Sequence, residues 1–114
     1  MTKAEWRDWA RANRSAANTD AVLHRMTALP EWCAARHVLL YYSLPGEIEA
    51  ERLAETGGDK RFYLPRTAPG RRLAVVPFVL GETPLVTNRW GLVEPAPDLP
   101  NVPPATLDLV IVPA

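Results

Sequence analysis

Residues 41–66 read YYSLPGEIEAERLAETGGDKRFYLPR, and the order of signals in them decides the fold class. The stretch begins as a strand, turns at Pro45-Gly46, and puts Glu47 where a helix should start. It returns through Gly57-Gly58 to a second strand from Arg61 to Leu64. This is a β-turn-α-turn-β unit, and in such units the loop after a strand's carboxyl end is where ligands bind. Glu47 has two readings. An acid in a first helical turn stabilises the helix by about 0.3–1 kcal/mol through the macrodipole. The alternative is a carboxylate aimed at a ligand from the strand's carboxyl edge, and the residues alone favour the first.

Outward from this unit the chain divides unevenly. Ten of the twelve prolines follow Leu64, so the first half should be helical and α/β, and the second half built of short strands and turns. His37 to Ser43 (HVLLYYS) is a near-continuous apolar run, the pattern of a strand covered on both faces in a parallel sheet. A helix from about Glu47 to Glu55 should turn Ile48 and Leu53 inward, with Gly57-Gly58 as its stop. Lys60 to Leu64 should be a strand closed by Pro65, with Arg66 at its carboxyl end. After a turn at Thr67-Ala68-Pro69-Gly70, Arg71 to Phe78 should be a strand that Pro77 confines to an edge or a strand end. Asn88-Arg89-Trp90-Gly91 reads as a turn carrying an aromatic, either capping the core or forming a stacking wall for a flat ligand. Glu94 to Pro104 should cross the surface in extended form. Leu107 to Val112 (LDLVIV) reads as a central strand. The carboxyl end of such a strand is where an α/β protein places a ligand loop, and no glycine-rich phosphate loop occurs in the chain. The expectation is therefore an incomplete domain, or one that a partner completes.

Towards the amino terminus, Thr2-Lys3-Ala4-Glu5 has the form of a capping box, and a helix from about Lys3 to Arg14 should follow. At about 100° per residue, Lys3, Arg7, Arg11 and Arg14 fall within about 80° of one another. Trp6 and Trp9 share a different face. The cationic stripe is either a solvated basic face or a phosphate clamp, and helix geometry alone favours the solvated face. A second helix should run from about Thr19 to Leu29, capped by Asn18 or Thr19, with Val22, Met26 and Leu29 as its apolar stripe. Pro30 should stop it or open a short turn. His24 and His37 have no partner at metal-ligand spacing and read as structural or exposed. Cys33, beside Trp32 and the small Ala34-Ala35, reads as a buried apolar residue.

Composition sets the limits. With 114 residues the chain is one domain or part of one, and 47% hydrophobic with 23% charged residues is a globular, not a disordered, balance. The formal net charge is zero, which removes the electrostatic case for nucleic acid or an anionic membrane. The amino-terminal segment has no apolar core of the signal-peptide kind, and no apolar run is long enough to cross a bilayer. A single cysteine forms no internal disulfide, which suits a reducing cytoplasm.

Five pieces, in order along nearly the whole chain, resemble the 5-formyltetrahydrofolate cyclo-ligase (methenyltetrahydrofolate synthetase) family. They are Lys3-Ala4-Glu5-Trp6-Arg7, Tyr41-Tyr42-Ser43-Leu44-Pro45-Gly46-Glu47, Tyr63-Leu64-Pro65-Arg66, Trp90-Gly91-Leu92-Val93-Glu94-Pro95 and Leu107-Asp108-Leu109-Val110-Ile111-Val112-Pro113. The resemblance implies a three-layer α/β/α fold with a mostly parallel central sheet, of the sugar-isomerase and CoA-transferase type, incomplete at the carboxyl terminus. It implies a reaction that needs ATP and Mg²⁺. The formyl oxygen of 5-formyltetrahydrofolate is phosphorylated, the other folate nitrogen attacks, and 5,10-methenyltetrahydrofolate forms with release of ADP and phosphate. Such chemistry needs cations around the transferred phosphoryl group and an aromatic or apolar slot, with a carboxylate, for the pterin.

Carried over by position, Lys3 and Arg7 match the family's contacts to nucleotide phosphates. Glu47 matches its folate-binding carboxylate, with Tyr42 at the neighbouring substrate position. Trp90 resembles the aromatic near the folate pocket, and Arg66 is a candidate for phosphate or substrate carboxylate. Trp6 stands where the family usually has an aliphatic residue. The family's arginine- and glycine-rich loop ending in Tyr-Tyr-Asp, which cradles ATP and holds magnesium, is not in this chain. Two functions compete on this basis: a portion of the cyclo-ligase, inactive alone, and a non-catalytic remnant that binds folate, nucleotide or another protein. A different enzyme on the related fold accounts for none of the five matches.

Overall fold

A computed structural model describes residues 2–4, 16–55, 58–70 and 72–113. Lys3 and Ala4 are helical, and the rest of the expected first helix, with Arg7, lies outside the described residues. The fold is α/β, with a four-stranded sheet in the order β3-β2-β1-β6. Strands β1 (His37–Leu39), β2 (Arg61–Ala68) and β6 (Leu109–Val110) run parallel, and β3 (Arg72–Phe78) is antiparallel to β2. A separate hairpin pairs β4 (Leu85–Thr87) with β5 (Val93–Pro95).

Helix α1 spans Ala16–Thr27, so it begins before Thr19. Thr19 is therefore no cap but an inner residue, 1% exposed. Leu23 and Met26 pack against the core, while Val22 and Leu29 face outward. The buried face thus lies one residue round from the expected stripe. The helix ends because Leu29 precedes a proline, which excludes the α region there, and Leu29 is extended at ψ 141°. Pro30 then occupies the first position of α2 (Pro30–Ala34), where its missing N–H costs nothing. In α2 it is Trp32 that is buried, and Cys33 is exposed with its thiol against the Thr27 carbonyl. The larger Trp32 ring takes the inner side of this single turn. The Lys60 ammonium donates to the Ala35 carbonyl at 2.6 Å and lies 5.2 Å from the Trp32 ring centre, closing the end of α2.

The core lies on one sheet face. Val38, Phe62 and Phe78 stand opposite one another in register, as do Leu64 and Val76, and Leu109 continues the row beside Val38. Trp32, Ala35 and Leu53 cover them, with Trp32 and Phe62 ring centres 6.0 Å apart. On the other face His37 and Leu39 are only half-buried, so β1 is not covered equally on both sides. His37 Nδ1 hydrogen-bonds the Tyr63 hydroxyl there at 2.8 Å, a structural use of the ring.

Two prolines shape the sheet. The Arg61 amide donates to the Arg36 carbonyl and the Tyr63 carbonyl accepts from the Leu40 amide, so the odd-numbered peptide groups of β2 face β1. Pro65 is the next in that series and has no N–H to give. The β1 ladder therefore stops there, while β2 continues against β3 with Pro65 opposite Val75 and Ala68 opposite Arg72. Pro65 ends the pairing with β1, not the strand, and Arg66 lies within β2 rather than at its end. Pro77 behaves as expected. Val75 bonds outward to Val102, so Pro77, two residues on, turns its missing donor away from β2 on the outermost strand.

The helix expected from Glu47 is shorter and tighter, a 3₁₀ helix over Ala50–Glu55 with Leu53 fully buried. The Pro-rich segment is less superficial than expected, since Pro95 is fully buried and Ala96 is 9% exposed. Strand β6 is the outer strand of the sheet, not a central one, with Val110 half-exposed. The Asp108 carboxylate accepts the Arg36 and His37 amides at 2.9 Å, fastening β6 to the start of β1.

Candidate functional site

Because β1 and β2 are parallel, their carboxyl ends meet at one edge of the sheet, and the chain leaves β1 there through residues 41–49. With the β1 ladder stopped by Pro65, this segment turns off the sheet. Pro45 and Gly46 form the turn, and Gly46 at φ 88° supplies the left-handed conformation that a proline-glycine turn needs at its third position. The Glu47 amide donates to the Leu44 carbonyl at 3.0 Å, and Glu47 Oε1 accepts from the Leu44 amide at 2.7 Å. Glu47 thus closes its own turn. The helix starts only at Ala50, so Glu47 is not the first-turn acid expected of it. One of its oxygens takes the Leu44 amide, and a carboxylate has about four acceptor positions.

The turn is stitched from both sides. The Tyr41 hydroxyl donates to the Ile48 carbonyl at 2.8 Å. The Glu51 carboxylate accepts the Ser43 amide at 2.9 Å and the Ser43 hydroxyl at 2.6 Å. Tyr42 is half-buried, its ring packed against the core. Neither Ser43 nor Glu51 stood out in the sequence. An acid on an expected helix reads as solvated, and only the observed short 3₁₀ helix turns Glu51 inward to 7% exposure.

On β2, Arg66 is half-buried, and its Nη1 donates to the carbonyls of Ala96 at 3.0 Å and Leu99 at 2.7 Å. Next to it, the Thr67 amide and hydroxyl donate to the Glu94 carboxylate at 3.0 and 3.1 Å. These bonds hold the β4–β5 hairpin and the segment after it against the far half of β2. At the hairpin loop, Asn88 Oδ1 accepts the amides of Trp90 and Leu92, and Gly91 at φ 80° completes the turn. Trp90 is 62% exposed, with the Arg89 guanidinium 4.2 Å from its ring centre. Trp90 thus does not cap the core, and one face of its ring is covered by Arg89.

Tyr42 and Glu47 thus lie on the segment leaving β1, Arg66 lies within β2, and the Trp90 hairpin is tied to the same half of β2. Lys3 is exposed at the start of the described chain, and Arg7 lies outside the described residues. A groove of about 1020 Å³ opens at the opposite end of β2, lined by residues such as Lys60, Arg61, Phe78 and Val79. None of the expected site residues lines it, so its size does not make it the better candidate. Among the described residues no three His, Cys, Asp or Glu side chains come together as a metal site, and no helix is long and apolar enough to cross a membrane.

An α/β domain with a mostly parallel sheet and an acidic turn at the sheet's carboxyl edge belongs to the broad class that binds small ligands at that edge. The 5-formyltetrahydrofolate cyclo-ligase family matches residues 3–114, and the chain belongs to that family. A solved structure with the same fold is the NMR structure of Aquifex aeolicus 5,10-methenyltetrahydrofolate synthetase. It is 25% identical with a TM-score of 0.69, over 98% of this chain and 60% of that protein. The chain thus spans 60% of the length of that relative. Among curated proteins none matches the chain.

Proposed function

We propose that the 114 residues form a single domain, a portion of a 5-formyltetrahydrofolate cyclo-ligase, that binds 5-formyltetrahydrofolate at the carboxyl edge of β1 and β2. The observation that carries the proposal is the Glu47 turn, held by the Leu44 amide at that edge in a chain the family matches from residue 3 to residue 114. In this reading Glu47 accepts from the pterin's ring N–H groups, Tyr42 lines the adjoining wall, and Trp90 stacks on the flat ring. Arg66, whose Nη1 is already engaged by two carbonyls, contributes charge to an anionic part of the substrate.

The overall reaction proposed is the family's: ATP phosphorylates the formyl oxygen, the second folate nitrogen closes the ring, and phosphate leaves. ATP is the phosphoryl donor, and Lys3 and Arg7 are assigned to its phosphates. Mg²⁺ supplies charge neutralisation to that transfer. The described residues do not gather a site for the ion, and no step is assigned to it through this chain. The proposed compartment is the cytoplasm and the proposed partner is the small-molecule substrate. A second reading is a non-catalytic form of the same fold that retains folate or nucleotide binding. Calorimetric titration of the chain with 5-formyltetrahydrofolate tests the proposal. Saturable binding lost in Glu47→Gln supports it, and no heat of binding from the intact chain rejects it.

A further inference from the structure

We infer that Glu51 is the positioning residue of the ligand turn, fixing Ser43 so that Leu44 presents its amide to Glu47. The inference rests on the proposed folate site, but its structural half can be measured without ligand. Glu51 sits in the 3₁₀ helix beside Leu53, which is fully buried in the core, so the backbone that carries it is fixed relative to the sheet. From there its carboxylate reaches back over eight residues and takes both donors of Ser43, the amide at 2.9 Å and the hydroxyl at 2.6 Å. Hydrogen bonds to an ionised acceptor are the shorter and stronger kind. Desolvating a carboxylate at 7% exposure carries a cost that these two bonds offset.

Pro65 has no N–H to give the segment leaving β1, which bonds β2 through the Leu40 amide on the Tyr63 carbonyl. Beyond it the Tyr42 ring packs against the core. The Glu51 clamp then fixes Ser43, and the next residue, Leu44, binds Glu47. Two carboxylates four residues apart thus grip two consecutive half-buried amides, those of Ser43 and Leu44. A displacement of about 1 Å in a binding group can cost up to about a hundredfold, so a clamp of this kind should be visible in affinity.

The test uses the 114-residue chain, with amide hydrogen exchange read by NMR and titration with 5-formyltetrahydrofolate. In Glu51→Ala, exchange at Ser43 and Leu44 should quicken by about tenfold or more while Leu40 keeps its protection, and affinity should fall by about tenfold. Glu51→Gln, which keeps an acceptor for the Ser43 amide, should restore most of both. Wild-type affinity together with unchanged Leu44 exchange in Glu51→Ala overturns the inference. If Glu51→Ala also loses Leu40 protection, Ser43→Ala decides in its place: it removes one bond only, and undiminished affinity overturns the inference. If the wild-type chain binds no folate, the proposed function fails separately. Leu44 exchange then decides the inference alone, and an unchanged rate overturns it.

Discussion

Glu47 closes its turn and, in the proposed site, also accepts from the ligand, and substitution can separate the two. Glu47→Gln keeps an oxygen for the Leu44 amide but loses the charge, so the turn should survive while the pterin N–H groups lose an ionic acceptor. A hydrogen bond to a charged group contributes about 1.5–3 kcal/mol, so folate affinity should fall at least tenfold with ATP affinity little changed. Lys3→Ala should do the reverse. Parallel titrations with each ligand check this, and two variants that left both affinities intact would make the site assignment wrong. Arg66 makes a different demand. Its Nη1 satisfies two carbonyls on the segment after β5, and Arg66→Ala leaves both without that donor. A stability loss of about 2 kcal/mol is expected in chemical denaturation. A ligand role would show as a further affinity loss well below the melting transition.

Between elements, the joint of β1 with β6 is sensitive to acid. The backbone amides of Arg36 and then of His37 hold the Asp108 carboxyl below its ordinary pKa. A group with a depressed folded pKa gives stability that is present above the unfolded value, about 3.9, and lost as pH falls through the folded one. The melting temperature of the wild-type chain should therefore exceed that of Asp108→Asn at pH 7, and the gap should shrink below about pH 4. Calorimetric melts of both proteins across that range check it, and a constant gap would remove Asp108 from the joint. The same elements show what a sequence does and does not make legible. Pro45-Gly46 announced its turn because the demand for a positive φ is local. Pro65 misled, because whether a missing N–H ends a strand depends on which neighbour that N–H would face. That side is set by the register between β1 and β2, which involves residues 24 positions apart, as His37 and Arg61 are. Pro77 was readable because an edge strand tolerates a proline whose missing N–H faces away from the sheet. Glu51 was missed because a 3₁₀ helix, with three residues per turn, turns it inward, and Cys33 was misjudged because the single turn of α2 gives its inner side to Trp32.

For the molecule as a whole, the proposed site draws on separate parts of the chain. The proposed folate contacts come from the segment after β1, from β2 and from the β4–β5 hairpin, whereas the phosphate contacts proposed for Lys3 and Arg7 belong to the amino-terminal segment. Phosphoryl transfer needs cations and a metal ion around the moving group, arranged at the same moment as the substrate oxygen. The proposed assignments give these 114 residues folate and nucleotide-phosphate contacts and no residue for the metal ion. On that assignment binding and turnover should come apart. The 114-residue polypeptide is expected to bind 5-formyltetrahydrofolate yet to form no methenyl product with ATP and Mg²⁺, followed by the product's absorbance. Joining it to a segment that carries the family's glycine-rich loop should restore turnover, and Glu47→Gln in the joined protein should abolish the gain. Product formation by the 114 residues alone would mean that the nucleotide and metal sites lie within this chain, in residues beyond those assigned to them.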